Sequence, residues 1–255
     1  MGHRHLTLQT EGSAETDASS TNKPTDQPTT QPENLFPETL FPALRTGTQA
    51  AHQQVETLTC MQRLFMADYS LAEYLRLLRQ LYGLYAPLEE AILSLSQQNP
   101  LPWGYGLKHP LIEQDLHCMD NPLSAGPAER LDLTALPVAS TSDRNTISDA
   151  QLVGAMYVLQ GATLGGSRIA SHLEKHFASA TAGEHTTVQP SFLFYRAGGE
   201  QPRATWMAFQ SAVLAQLHAS QQDPNKAHNP ALFEQVALET ANAVFGCFYQ
   251  WMSRI

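Results

Sequence analysis

The chain has 255 residues, enough for one domain with a tail or for two small domains. Hydrophobic residues make up 42% of it and charged residues 15%, a globular balance, and the net charge of −9 argues against a generic binder of nucleic acid or anionic membranes. Cys60, Cys118 and Cys247 are odd in number and far apart, with no ligand spacing around them. They are expected to pack as small apolar residues in a reducing compartment, with no disulfide framework and no zinc site. The first residues lack the apolar core of a secretory signal, and no apolar run is long enough to span a bilayer, so the expected location is the cytoplasm.

Residues 9–34 contain no Val, Ile, Leu, Met, Phe, Trp, Tyr or Cys. Such a stretch cannot bury enough apolar area to offset its chain entropy, and 1–34 reads as a disordered polar tail. The helical domain is expected over 35–255. Its first helix is predicted from Thr39 to Leu58, with Pro42 in the first turn and a seam of Leu40, Leu44, Gly47, Ala51, Val55 and Leu58. A second helix begins at Ser70, where Glu73 completes a capping box, and runs to about Gln97 with a bend near Pro87.

Residues 99–147 are rich in Pro and Gly, with short helices predicted near 110–118 and 127–135. A long helix follows, starting after Thr146 or Ser148 and reaching about Phe177, with Thr146 and Asp149 as a further capping box. Shorter pieces are predicted near 190–196 and 203–219. The last helix starts at Asn229-Pro230, a cap followed by a first-turn proline, and carries Phe233, Ala237, Thr240, Val244 and Trp251 on one stripe. The pattern is all-α.

Two features stand out against it. The first is a run of glycines inside the long helix: Gly154, Gly161, Gly165 and Gly166. Each interior glycine costs about 0.5–1 kcal/mol relative to alanine, so something must offset them. Gly154, Gly161 and Gly165 share one face by their spacing. That bare face suits either a closely crossing helix or a flat ligand lying on the backbone. The string Gly161-Ala-Thr-Leu-Gly-Gly166 follows no strand, so a dinucleotide loop fails its context test.

The second feature is His52, on the first helix at the edge of the seam. Alone, it reads as a hydrogen-bonded core histidine or as a metal ligand. Arg45 lies two turns earlier on the same face, able to reach an anionic group, and Glu56 lies one turn later, able to hold the other ring nitrogen. His172 and His176 are one turn apart near a helix C-terminus and read as surface residues, since His-Leu-Glu-Lys-His is not the HExxH pattern.

Together the segments resemble the haem oxygenase family. Leu44-Arg-Thr-Gly-Thr48-Gln-Ala-Ala-His52-Gln-Gln-Val-Glu56 is similar to its proximal helix. Gly154-Ala-Met-Tyr-Val-Leu-Gln-Gly-Ala-Thr-Leu-Gly-Gly166 looks like the distal helix of the bacterial, biliverdin-producing branch often found beside phytochromes, and Glu239-Thr-Ala-Asn-Ala-Val-Phe245 resembles the last helix. The resemblance covers roughly 36–253. It implies a multi-helix bundle with haem between a proximal and a distal helix.

On that likeness His52 ligates the iron, Gly161, Gly165 and Gly166 form the catalytic distal face, and Arg45, Thr48, Glu56, Tyr157 and Phe245 contact haem. The implied reaction directs iron-activated O2 onto the porphyrin's own edge, giving biliverdin, CO and ferrous iron. Electrons come from an external donor, a ferredoxin or a reductase, and a bacterial phytochrome is the candidate recipient of the biliverdin. Position 162 is Ala, where animal-type members carry an aspartate, and Gln160 stands where bacterial relatives commonly have Glu. A haem-binding carrier or sensor on the same fold is the alternative. A helical hydrolase of the thiaminase type is a third reading; it needs a cysteine with carboxylates around it.

Overall fold

Capping chemistry sets the helix ends at two places as the sequence reads. Ser70 Oγ accepts from the Glu73 N–H at 3.2 Å while the Glu73 carboxylate accepts from the Ser70 N–H at 2.9 Å, the reciprocal box. Asn229 Oδ1 accepts from the Leu232 N–H at 3.1 Å, opening the last helix at Pro230. The computed structural model describes residues 38–96, 101–120, 129–133, 144–181, 190–223 and 228–255. The expected tail, 1–34, lies outside them.

The described helices are α1 (Leu40–Gly47), α2 (Gln49–Glu56), α3 (Thr59–Arg63), α4 (Leu71–Ser96), α5 (His109–Cys118), α6 (Arg144–Gly161), α7 (Thr163–Thr181), α8 (Pro202–Gln221) and α9 (Pro230–Met252), with one 3-10 turn at Pro102–Gly104. There is no strand among the described residues. No helix among them is long and apolar enough to cross a membrane.

The structure corrects five boundaries. The first predicted helix is two, α1 and α2, broken at Thr48, whose hydroxyl donates to the Leu44 carbonyl at 2.7 Å; such back-bonding bends helices. The chain then turns into α3, which the sequence pattern did not separate. The long helix starts earlier than expected, at Arg144, so Thr146 lies inside it rather than capping it. It also breaks at Ala162, between α6 and α7, where Thr163 Oγ1 donates to the Gln160 carbonyl at 2.7 Å. The segment 190–196 forms turns, not a helix, with Phe192 at φ 56°. Of 127–135, the described residues Glu129–Leu133 form no α-helix.

Pro87 explains the last of these. It lies inside α4, which runs on through it, and having no N–H it leaves the Gly83 carbonyl without its helical donor. The Leu131 N–H fills that place at 2.8 Å. Gly83 must be glycine for this to happen, because a Cβ there would sit 2.1 Å from the Glu129 carbonyl oxygen.

The core is centred on α9, against which α1, α2, α4 and α6 pack. Trp251 locks α9 to α4 reciprocally: its indole N–H donates to the Gln80 carbonyl at 2.7 Å, and the Gln80 amide donates to the Trp251 carbonyl at 2.7 Å. A buried carboxylate ties α4 to α5. Glu89 accepts from the Lys108 and His109 N–H groups at 2.8–3.0 Å, from the Tyr105 hydroxyl at 2.7 Å, and meets His109 Nδ1 at 2.7 Å. It thereby caps α5 from a neighbouring helix. Asp115 plays a similar part at the other end of α5, accepting from the Leu193 and Phe194 N–H groups at 2.7 and 2.9 Å and fixing the turn that follows α7.

Burial pushes the Glu89 carboxyl up, but the bonds from His109, Tyr105 and Lys108 outweigh it and hold its pKa below the usual 4.5. A carboxylate with a depressed folded-state pKa adds stability that is fully present above the unfolded value and lost as pH falls through the folded one. Glu89→Gln is therefore expected to cost about 2–4 kcal/mol at neutral pH and to flatten the acid limb of the stability curve below about pH 4.5, read by urea denaturation between pH 3 and 7.

Candidate haem site

After the break at Thr48, α2 packs on α9 through Ala51 and Val55 but has no fully buried residue. His52 on α2 is 59% exposed at its side chain, with Phe245 of α9 packed edge-on against its ring at 5.7 Å between centroids. Glu56 Oε1 lies 3.6 Å from His52 Nδ1, long for a direct hydrogen bond but close enough to attract an imidazole N–H. The ring is thus flanked on one side by an aromatic edge and on another by a carboxylate. Nε2 makes no hydrogen bond among the described residues, which suits a ligating nitrogen oriented by its other partner.

Thr48, only 2% exposed, also bonds the Tyr157 hydroxyl of α6. Burial pushes the Tyr157 phenol up, while the Thr48 bond and the Arg45 charge pull it back. Arg45 is exposed at the end of α1. The structure therefore gathers Arg45, Thr48 and Tyr157 at one point, and His52, Glu56 and Phe245 at a second, joined through α2 and α9.

The glycines divide by use. Gly154 is the close-crossing case: a Cβ there would lie 2.3 Å from the Ala237 carbonyl oxygen of α9. Gly166 is equally committed, 2.3 Å from the Tyr195 carbonyl oxygen by the same measure. Gly161 meets only the tip of the Trp206 ring at 3.8 Å, and Gly165 has nothing within 4 Å. Close crossing thus accounts for Gly154 and Gly166, while Gly161 and Gly165 stand open. Ala162, Leu164 and Gly165 together form an exposed, side-chain-poor stretch at the break, with Leu164 42% exposed.

At that break lies a small, partly open cavity of about 70 Å³, bounded by Met61, Tyr85, Lys108, Ala162, Thr163 and Phe248 among others. It has room for water-sized molecules. The imidazole of His52 is exposed, and the backbone at Gly165 is open. The residues present fit haem on these two observations.

Other candidates resolve differently. His176 Nε2 is 2.6 Å from the Tyr69 carbonyl and His172 is half-buried against Phe65, so neither is a simple surface residue. No group of three potential metal ligands occurs among the described residues. Cys60 is buried and Cys247 half-buried, with burial raising both thiols, which fits packing roles and not nucleophiles. Cys118 is exposed, a correction to its expected packing. Sequence reasoning passed over Lys108 and Glu89. No spacing rule links residues on different elements, and only the cross-helix cap brings them together.

The haem oxygenase family model matches residues 38–254. The chain belongs to the haem oxygenase family. No curated protein matches its sequence. Among solved structures it is similar to the crystal structure of haem oxygenase-1 from the cyanobacterium Synechocystis sp. in complex with haem, at 18% identity and a TM-score of 0.57, over 84% of this chain and 91% of that one. That likeness is one of fold.

The divided glycines are separable by stability. Gly154→Ala is expected to destabilise the protein by about 1–3 kcal/mol through overpacking on α9. Gly165→Ala is expected to be neutral or to stabilise by up to about 1 kcal/mol, since only the helical penalty of glycine is removed. Thermal denaturation of the two variants beside the wild type checks both.

Proposed function

We propose that this haem oxygenase binds haem, whose iron His52 would hold, and cleaves it to biliverdin, CO and ferrous iron. The observation that supports this most is the pairing of an exposed, carboxylate-flanked imidazole at His52 with bare helical backbone at Gly161 and Gly165. Bound haem supplies the iron at which O2 is activated.

The chain's own residues do the rest. Glu56 holds the His52 imidazole in orientation by attracting its Nδ1–H. Phe245 walls one side of the ring. Gly161 and Gly165 let the macrocycle approach the backbone, so that close steric contact, not a side-chain acid, directs the reaction to the porphyrin edge. Ala162 leaves no carboxylate at the break, and Thr163 turns its hydroxyl back onto the Gln160 carbonyl. Arg45, exposed beside Tyr157, is placed to meet a propionate. Gly166 acts by packing, keeping α7 close to the Tyr195 backbone.

The reaction consumes electrons, and the proposed source is a separate ferredoxin or reductase. Release of biliverdin to a bacterial phytochrome, within the cytoplasm, is the extension of this reading. The carrier or sensor alternative keeps the same binding residues without turnover.

Haemin added to the purified protein is expected to give a Soret band, which reductant and air convert to a biliverdin spectrum. A band that persists under those conditions identifies a carrier. His52→Ala is expected to weaken haemin binding by about tenfold or more and to lose the wild-type ferric spectrum. A variant that keeps that spectrum refutes His52 as the ligand. Gly165→Leu is expected to impair haemin binding with little change in melting temperature, since its side chain would occupy the open face.

A further inference from the structure

Lys108 is the most deeply buried Lys or Arg among the described residues, 2% exposed. Its backbone N–H serves Glu89, whose carboxylate is already satisfied by Tyr105 and His109. The ammonium group looks the other way. Nζ donates to the Gly106 carbonyl at 2.9 Å and to Gln160 Oε1 at 3.0 Å, and lies 3.7 Å from the centre of the Tyr105 ring. Gln160, itself 4% exposed, is the residue whose carbonyl receives the Thr163 hydroxyl across the break between α6 and α7. Lys108 therefore grips the break from inside.

It also borders the small cavity beneath Ala162 and Thr163, and it is the one ionic side chain in that lining. The other titratable groups there are the phenols of Tyr85 and Tyr195, both raised by burial and neutral. Burial lowers the Lys108 pKa to about 8, with Glu89 pulling the other way, so the ammonium remains largely charged at neutral pH. Charge on so deeply buried a side chain is weakly screened and acts on a polar group that enters the cavity.

We infer that Lys108 is a positioning residue for the distal side of the haem site, fixing the bend at Gln160 and presenting a positive charge that favours anionic over neutral ligands on the iron. This rests on the proposed placement of haem between His52 and the Gly161–Gly165 face. It assigns the electrostatics of that side to a cation held by an amide, in a chain that has Ala162 at the break.

The test compares an anionic and a neutral ligand on the haemin-loaded full-length protein at pH 6.5. Azide is titrated into the ferric form and CO into the ferrous form, in wild type, Lys108→Met, Lys108→Gln and Lys108→Arg. Lys108→Gln retains an amide able to bond Gln160 and keeps the comparison usable if Lys108→Met does not fold. The neutral variants are expected to bind azide about tenfold more weakly with CO affinity within about twofold, and Lys108→Arg to recover azide binding. Azide affinity unchanged in a neutral variant, or azide and CO weakened together, overturns the inference while leaving haem binding standing. A wild type with no Soret band overturns the proposed function, and this inference with it.

Discussion

Everything at the site hangs from the close crossing of α6 over α9 at Gly154. Two helix backbones that near each other exclude even a methyl group, since a Cβ would lie 2.3 Å from the Ala237 carbonyl oxygen. The crossing places α9 along the middle of the domain, and α9 then distributes the functional parts. Phe245 meets His52, Phe248 borders the cavity under the break, and Trp251 clamps α4 through two reciprocal bonds. Small residues at such crossings trade helical propensity for approach, and the gain is dispersion along the whole contact.

A second layer of organisation is polar and buried. Glu89 and Asp115 cap elements that are not their own, one at the start of α5 and one in the turn after α7. Each sets N–H donors against its desolvation, and a buried carboxylate stabilises only where such bonds outweigh that cost. The net result differs between them. Glu89 is held below its usual pKa, while burial wins at Asp115 and raises it. Lys108 sits at the junction of this layer with the break in the glycine helix, and so connects the packing of α4 and α5 to the face where ligand would lie.

Local chemistry was legible in the sequence wherever both partners were close in the chain. The Ser70–Glu73 box and the Asn229–Pro230 start depend on residues within three positions of one another, and the structure has them as read. Breaks were less visible. Thr48 and Ala162 lie in strongly helical patterns, and their interruption comes from a hydroxyl turning back on a carbonyl, at Thr48 onto Leu44 and at Thr163 onto Gln160. A periodicity argument averages over such events. The predicted helix at 127–135 failed for a long-range reason: Leu131 gives its N–H to Gly83, the carbonyl that Pro87 leaves unpaired.

The glycine run and His52 show the same division most clearly. The sequence by itself determined that a run of glycines would lie in a helical segment, that a histidine with Glu56 one turn on would edge the first seam, and that the domain would be all-α, because these are properties of spacing and residue type. It could not say which glycine served packing and which stood open. Tertiary structure decided that, setting Gly154 and Gly166 against carbonyl oxygens and leaving Gly165 with no neighbour within 4 Å. The physical reason is that the two uses look identical along one helix. They differ only in what another part of the chain brings to within a methyl's width of the backbone.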